Sequence, residues 1–199
     1  MMSAAKREIE RSDILPYETY ARERKERRAR ITEMKKNRRV AVGPYATFYF
    51  ENYETMFQQV HEMLHIERGG DEQIADELRA YNPLIPQGDE LIATLMFEID
   101  DERRRDIELR RITGFEAHVY FDLGGTRVMA TPDNDDVERT KADGKTSSVH
   151  FLHFRFGKDE IAKFRDPNVQ VTLAIAHPNY GHIALVSDAV RKALSADFA

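Results

Sequence analysis

Cysteine is absent from the 199-residue chain. This absence excludes disulfides, thiolate metal sites, an iron–sulfur cluster held by this chain and cysteine nucleophiles. Any bound metal must therefore use histidine nitrogens and carboxylate oxygens. A chain without cysteine is at home in a reducing compartment, so we expect a cytoplasmic protein.

Long hydrophobic runs are also absent, and no apolar stretch approaches the ~20 residues of a membrane span. The N-terminal residues lead straight into charged sequence, so we expect no signal peptide. Gly124-Gly125 lacks the spacing of a glycine-rich phosphate loop, and Ser147-Ser148 lacks the nucleophile-elbow pattern. The sequence therefore assigns no membrane segment, no phosphate loop and no serine-hydrolase triad.

Charge is abundant and unevenly distributed: 33% of the residues are charged, against 41% apolar. Residues 22–39 hold ten Lys and Arg against three Glu, a net +7, so the remainder of a chain of total charge −5 carries −12. A nucleic-acid binder would be basic more uniformly, so nucleic acid is not the expected partner. The basic segment fits either a surface for phosphate or an acidic partner, or a solvated helix with ion pairs such as Glu23–Arg27 and Glu26–Arg30.

Hydrophobic periodicity and turn residues predict one α+β domain over residues 1–199, with a largely antiparallel sheet in the second half. Residues 1–39 form a charged, helical N-terminal extension, and residues 40–199 form the α+β core. The predicted helices are 17–36, a pair between Asn52 and Leu78, 100–111, 158–165 and 188–196 after a Ser187 cap. In the pair, Asn52 is the expected N-cap of the first helix and Gly69-Gly70 its expected end. The predicted strands are 47–50, 91–99, 117–123, 126–131, 148–156, 169–176 and 183–186, with a hairpin turn at Gly124-Gly125 and a mobile loop at 132–147.

The motif His61-Glu62-Met63-Leu64-His65 has the form H-E-x-x-H. On a helix, residues four apart lie on one face, so His61 and His65 could bind one metal ion, and Glu62 could act as a base on a metal-bound water. A carboxylate of the next helix, Glu77 or Asp76, could supply a third ligand. The alternative is a pair of histidines that cover the edge of the core.

A second histidine pair, His177 and His182, flanks the segment 178–181. A hairpin with this four-residue loop would place the two imidazoles face to face, with Cβ atoms about 5 Å apart. They could share a metal, zinc or iron, and we predict that His61 lies within metal-bridging reach of at least one of them. The alternative is an ordinary polar hairpin tip. His150 and His153 point to opposite faces of a strand, and one of them is expected to be a buried core histidine.

Four stretches together resemble a bacterial family catalogued as domain of unknown function 3501. They are Lys36 to Phe50, HEMLHIERGG through Asn82-Pro83-Leu84-Ile85-Pro86, Ser147 to Phe156, and His177-Pro178-Asn179-Tyr180-Gly181-His182. Members of that family are often encoded beside a rubrerythrin-like di-iron protein and an iron–sulfur oxidoreductase of the heterodisulfide-reductase type. The resemblance implies a role in peroxide or redox metabolism, with one of these proteins as the partner.

Three hypotheses follow. The first is a metal-binding accessory in a redox pathway that uses His61 with Glu62 or His65, completed by His177 and His182. The second is a zincin-like metal-dependent hydrolase with Glu62 as the catalytic base. The third is an interaction module that binds no metal and docks an oxidoreductase through its basic helix.

Overall fold

The computed structural model describes residues 6–133 and 144–199. In this part of the chain, the α-helices are α1 (Tyr17–Lys35), α2 (Tyr53–Glu67), α3 (Gly70–Tyr81), α4 (Glu102–Arg111), α5 (Lys158–Arg165) and α6 (Asp188–Ser195). The strands are β1 (Arg39–Val42), β2 (Ala46–Phe50), β3 (Glu90–Phe97), β4 (Val119–Leu123), β5 (Arg127–Pro132), β6 (Val149–Arg155), β7 (Val171–His177) and β8 (Tyr180–Leu185).

The eight strands of the described residues form one antiparallel sheet in the order β1-β2-β3-β6-β5-β4-β7-β8. The sheet curls until its two ends meet. The Tyr180 hydroxyl of β8 donates to the Val42 carbonyl at 2.7 Å and accepts from the Ala46 amide at 3.1 Å. The predicted α+β class with a largely antiparallel sheet is confirmed.

The main core fills the inner face of the curled sheet. Side chains alternate across a strand, so every second residue points inward, and the inward rings of Phe48, Phe121 and Phe154 are fully buried. Phe164 of α5 and Leu194 of α6 close this core and are also 0% exposed. α5 and α6 therefore cover this core.

A second, smaller core lies on the outer face of β3. Ile92 alternates with the inward residues of its strand and packs against Met56 and Val60 of α2, with Ile9 of the N-terminal segment beside them. Burying large aliphatic side chains of this kind contributes roughly 1.5–3 kcal/mol each. This contact fixes α2, and with it the H-E-x-x-H motif, on the outside of the sheet.

A buried ion pair joins the beginning of β1 to the end of the chain. The Arg38 guanidinium donates to Asp197 Oδ2 at 2.5 Å and to the carbonyls of Phe50 and Glu51 at 3.0 and 2.9 Å. Arg38 is 3% exposed and Asp197 is 8% exposed. Loss of one partner would leave a buried charge unpaired, which costs about 3–5 kcal/mol of stability. An exposed ion pair contributes only about 0.2–1 kcal/mol.

Most predicted elements are present with shifted ends, and one strand was not predicted. Residues 39–42 form β1, which was not predicted because a four-residue strand beside Gly43-Pro44 looks like a helix break. α2 ends at Glu67, and Arg68 is its left-handed C-cap. The helix therefore ends two residues before Gly69, where the sequence predicted its end. Most of the predicted mobile loop, residues 134–143, lies outside the described residues.

None of the helices that the structure describes is long and apolar enough to cross a membrane.

Candidate functional site

The H-E-x-x-H motif lies on α2 and faces the first turns of α1. Asn52 caps α2 as predicted, because its side chain accepts from the Thr55 amide at 3.0 Å. The Tyr20 ring of α1 lies 5.0 Å from the His61 ring and 5.9 Å from the His65 ring. The motif is therefore covered by the basic helix and its preceding segment.

Both ring nitrogens of His61 are occupied within the chain. Nδ1 lies 2.8 Å from the Phe57 carbonyl, which assigns the proton to Nδ1. Nε2 accepts from the Leu15 amide at 3.0 Å. The residue is 2% exposed, and burial lowers the pKa of its imidazole below the ordinary value. The neutral imidazole, with one hydrogen bond at each nitrogen, holds the N-terminal segment against α2 and has no free nitrogen for a metal.

Glu62 is the acceptor at the centre of a hydrogen-bond network between α1 and α2. Arg24 donates from Nε to Oε1 at 2.9 Å and from Nη2 to Oε2 at 2.8 Å. The Tyr20 hydroxyl donates to Oε1 at 2.6 Å, and Gln58 donates to the same oxygen at 3.1 Å. Burial alone would raise the pKa of Glu62, but the bonds from Arg24 and Tyr20 outweigh it and lower that pKa.

His65 differs from His61, because its ring is used for stacking. It lies parallel to the Tyr17 ring, with 5.0 Å between centroids and 11° between planes. Its Nδ1 is buried and has no hydrogen-bond partner. The two histidines of the motif are therefore in different chemical states: one is satisfied by the backbone and one keeps an unused nitrogen.

The predicted third ligand, Glu77, is engaged elsewhere. Its Oε1 accepts from Gln73 of the same helix at 3.0 Å, which in turn accepts from the Gly69 amide at 2.6 Å. This chain of bonds stabilises the first turns of α3 after the Gly69-Gly70 junction. Asp76, the other candidate, pairs with Arg79 on the exposed face of the same helix.

The predicted four-residue hairpin loop after His177 is wrong. Only Pro178 and Asn179 form the turn, and β8 begins at Tyr180, which pairs with His177, while His182 pairs with Ile175. The reason is local: the Asn179 amide donates to His177 Nδ1 at 3.2 Å, which tightens the turn. The two imidazoles are therefore offset by two pairs along the ladder.

His177 and His182 lie on the inner face of the sheet, since their neighbours Ile175 and Tyr180 belong to the main core. The His177 ring contacts His118 at 5.4 Å, and His182 contacts Tyr180 at 4.5 Å. His61 lies on the helix that covers the outer face. The structure therefore does not bring the two histidine pairs together.

Gly43 explains why His182 can sit where it does. It has a φ of +77°, and a Cβ at this position would come within 2.5 Å of the His182 ring. Glycine is the residue that tolerates both this backbone conformation and this close approach. His182 is thus packed at the junction between the two ends of the sheet.

The other two histidines follow the strand alternation. His150 is 1% exposed, its Nε2 donates to the Ser147 carbonyl at 2.8 Å, and its Nδ1 lies 3.2 Å from Glu116 Oε1. It is the buried core histidine that the sequence predicts. His153 points outward and bonds to Glu90 at 3.0 Å. Within residues 6–133 and 144–199, no three His, Asp or Glu side chains converge as a metal site, and the metal site stays a prediction.

A cationic groove runs along α1 beside the motif. We define it as the groove lined by Ala21, Arg24, Lys25, Arg28, Ala29, Thr32 and His65. Its lining combines small side chains with cationic ones. Arg24 is neutralised by Glu62, whereas Lys25 and Arg28 are exposed and form no direct ion pair with an acid among the described residues, although the charge of Arg28 also acts on Glu62. On the other side of the helix, Arg27 pairs with Glu23 and Arg30 pairs with Glu54, both at 2.8 Å.

The residues that give the motif its role were not identified from the sequence. Tyr20 and Arg24 do share one helical edge with Ile31, and both Tyr20 and Ile31 are buried. This narrow apolar edge was the feature of the sequence that indicated packing of α1 against the rest of the protein. The partner of Glu62, 38 positions away in sequence, could not be read from it.

The comparisons with known proteins agree with this architecture. A family model described as "Protein of unknown function (DUF3501)" matches residues 8–198. No curated protein matches the chain. A similar solved structure is a novel protein of unknown function from Burkholderia pseudomallei K96243, determined by crystallography. It is 36% identical, with a TM-score of 0.87, over 96% of this chain and 99% of that one.

Proposed function

The chain belongs to the family described as protein of unknown function (DUF3501), and from that premise we propose that it works as a docking module. Its cationic groove would bind an acidic surface of a partner protein. One observation supports this most strongly: the motif side chains hold α1 in place, while Lys25 and Arg28 stay exposed and form no direct ion pair within the described chain.

The occupied atoms of the motif favour docking over the other two hypotheses. A metal at His61 Nε2 would have to displace the Leu15 amide, and a metal at Nδ1 would have to displace the proton bonded to the Phe57 carbonyl. A catalytic Glu62 would have to leave Arg24, and its lowered pKa makes it a weaker base. Each change would also release α1 from α2. The same contacts stabilise a docking surface without any change.

Charge supports an acidic partner. The segment 22–39 carries +7 on a chain whose remainder carries −12. An acidic protein would be attracted to this segment and repelled by the rest, so charge would orient the encounter as well as accelerate it. A site made only of rim charges supports fast, salt-sensitive association more than high affinity.

The family resemblance supplies the class of partner. We take it to be a redox protein of the rubrerythrin-like or iron–sulfur oxidoreductase type, in the cytoplasm. Docking of such a protein needs no metal or cofactor in this chain. The proposal therefore keeps the redox role that the resemblance implies and assigns the redox reaction to the partner.

The test compares two double variants that remove the same charge. Lys25→Gln with Arg28→Gln alters the groove, and Arg27→Gln with Arg30→Gln alters the paired side of the same helix. Affinity for each candidate partner is measured by biolayer interferometry at low and high salt. We expect the groove variant to bind roughly two- to thirty-fold more weakly at low salt, since each exposed charge pair contributes about 0.2–1 kcal/mol.

The salt dependence separates docking from a change in folding. The groove variant should lose most of the salt sensitivity of binding, and the paired-side variant should keep it. Equal affinities for all three proteins would refute the cationic groove as the docking site. Failure of both candidate partners to bind the parent protein would refute the partner class.

A further inference from the structure

A cleft of about 450 Å³ opens where the segment before α1, the end of α2 and the start of α3 meet. A volume of this size is typical of small-molecule sites. Its walls are aromatic and aliphatic, with polar groups at the mouth. The lining residues used below are Tyr17, Leu64, His65, Arg68 and Ile74. His65 separates this cleft from the cationic groove, so the two sites are neighbours.

The first polar side chain that lines the cleft is His65. Nδ1 is buried and unpaired, although the ring itself is held by its stack on Tyr17. A buried polar atom without a partner costs free energy that a bound ligand could recover. His61, four residues earlier, has no such atom, so this feature belongs to the cleft and not to the motif as a whole.

The second polar group is the guanidinium of Arg68. Arg68 is the one non-glycine residue of the described chain with a positive φ, at 55°, although Gly69 and Gly70 follow immediately. A helix usually places glycine in this left-handed position, because a side chain there is strained. Backbone strain of this kind is typical of functional sites, where a particular side chain is needed.

The Arg68 side chain places a cation on the Tyr17 ring, and both residues line the cleft. The Arg68 guanidinium lies 4.9 Å from the Tyr17 ring centroid, and Nη2 donates to the Tyr17 hydroxyl at 2.5 Å. No carboxylate pairs with it among residues 6–133 and 144–199. Its other N–H groups remain available to an anion, for which guanidinium geometry is well suited.

We propose that this cleft binds a small organic monocarboxylate with a flat aromatic or aliphatic body. Arg68 would bind the carboxylate, the body would lie against Leu64, Ile74 and the Tyr17 ring, and His65 Nδ1 would meet a polar edge. The acids at the mouth limit the ligand to one negative charge. Asp71 is neutralised by Arg11 at 2.7 Å, whereas Glu18 is exposed and unpaired in the described chain.

The experiment uses indole-3-acetate as the probe and the full chain as the receptor. The protein has no tryptophan, so the fluorescence anisotropy of the indole reports binding directly. We expect a saturable rise with the parent protein. Arg68→Gly should weaken binding about tenfold or more, since hydrogen bonds to charged groups account for this factor. Arg103→Ala, an exposed α4 arginine that does not line the cleft, should bind like the parent.

Two controls distinguish a loss of binding from a loss of folding. Glycine suits the left-handed backbone of position 68, so Arg68→Gly should melt no lower than the parent. His65→Phe keeps a ring against Tyr17, removes the nitrogen, and should weaken binding several-fold, in keeping with one lost hydrogen bond of about 0.5–1.5 kcal/mol.

Neutral indole-3-acetamide tests the carboxylate itself and should bind at least about tenfold more weakly than the acid. The proposal is overturned if the anisotropy does not saturate, if Arg68→Gly binds as the parent does, or if amide and acid bind equally. The groove residues Lys25 and Arg28 take no part in this measurement, so its outcome is independent of the docking proposal.

Discussion

The Arg24 guanidinium of α1 donates two hydrogen bonds to the Glu62 carboxylate of α2, at 2.9 and 2.8 Å. This bidentate pair uses the acid that would be the base of an H-E-x-x-H enzyme. Together with the bond from the Leu15 amide to His61, it fastens the N-terminal segment and the basic helix to the body of the protein. We call this set of contacts the α1 clasp.

Tyr20→Phe should lower the free energy of unfolding by about 1–3 kcal/mol. The Tyr20 hydroxyl donates to Glu62 at 2.6 Å and accepts from Gln58 at 2.5 Å, so its loss leaves two buried polar groups short of a partner. Urea unfolding followed by far-ultraviolet circular dichroism measures the change. Tyr17→Phe is the matched control, because Tyr17 is 38% exposed, and it should change stability by less than about 0.5 kcal/mol. Equal effects of the two variants would contradict the clasp.

The two histidines of the motif should respond differently to the same substitution. His61→Phe leaves the Leu15 amide without its acceptor and should cost about 1–3 kcal/mol. His65→Phe removes a buried nitrogen that has no partner and keeps a ring beside Tyr17, so it should be neutral or stabilising. Thermal melts without added metal make the comparison. Similar losses for both would indicate a joint role such as a shared metal.

Acid should release α1 in two steps, since the pKa values of His61 and Glu62 are both lowered in the folded protein. The stability that neutral His61 contributes is complete above its ordinary pKa of 6.5 and is lost as pH falls through the lower, folded pKa. The contribution of Glu62 is complete above 4.5 and is lost below it. Urea midpoints from about pH 7 to about pH 2 measure this slope and include both steps.

Glu62→Gln separates the two steps. The variant should keep the loss of stability that begins near the ordinary pKa of His61 and should lack the further loss at lower pH. A parent protein whose urea midpoint does not fall with acid would contradict the assignment of these two groups to the clasp.

The sequence predicted elements and faces better than partners. The helix at 17–36, the Asn52 cap, the Gly124-Gly125 hairpin and the opposite faces of His150 and His153 are all local patterns, and each is present. Local periodicity and capping chemistry determine such features, so they are visible in a short stretch of chain.

Pairing over long distances was not visible. Glu62 bonds to Arg24 and Tyr20, which are distant in sequence. The Nε2 atom of His61 bonds to the Leu15 amide, which lies in a segment without helical or strand periodicity. The H-E-x-x-H spacing is the same for a metal site and for a helix face that binds another helix. The sequence therefore located the motif on its helix but could not decide which of its atoms remain free.

Metal analysis of the purified protein tests the hypothesis that the proposal sets aside. We expect far less than one zinc or iron per chain after purification without chelators, because His61 has no free nitrogen. The same value is expected for His65→Phe. Inductively coupled plasma mass spectrometry makes the measurement. One metal per chain, lost in both His61→Ala and His65→Phe, would restore the metal-binding accessory.

The α1 clasp is tested most directly by hydrogen–deuterium exchange of Glu62→Ala against the parent protein. The amides of α1 should exchange much faster in the variant, while those of β3 in the core should not change, because local opening does not require global unfolding. Glu54→Ala is the control, since it breaks only the exposed pair with Arg30, and α1 should then exchange as in the parent. Unchanged α1 exchange in Glu62→Ala, or equal acceleration in both variants, would contradict the account.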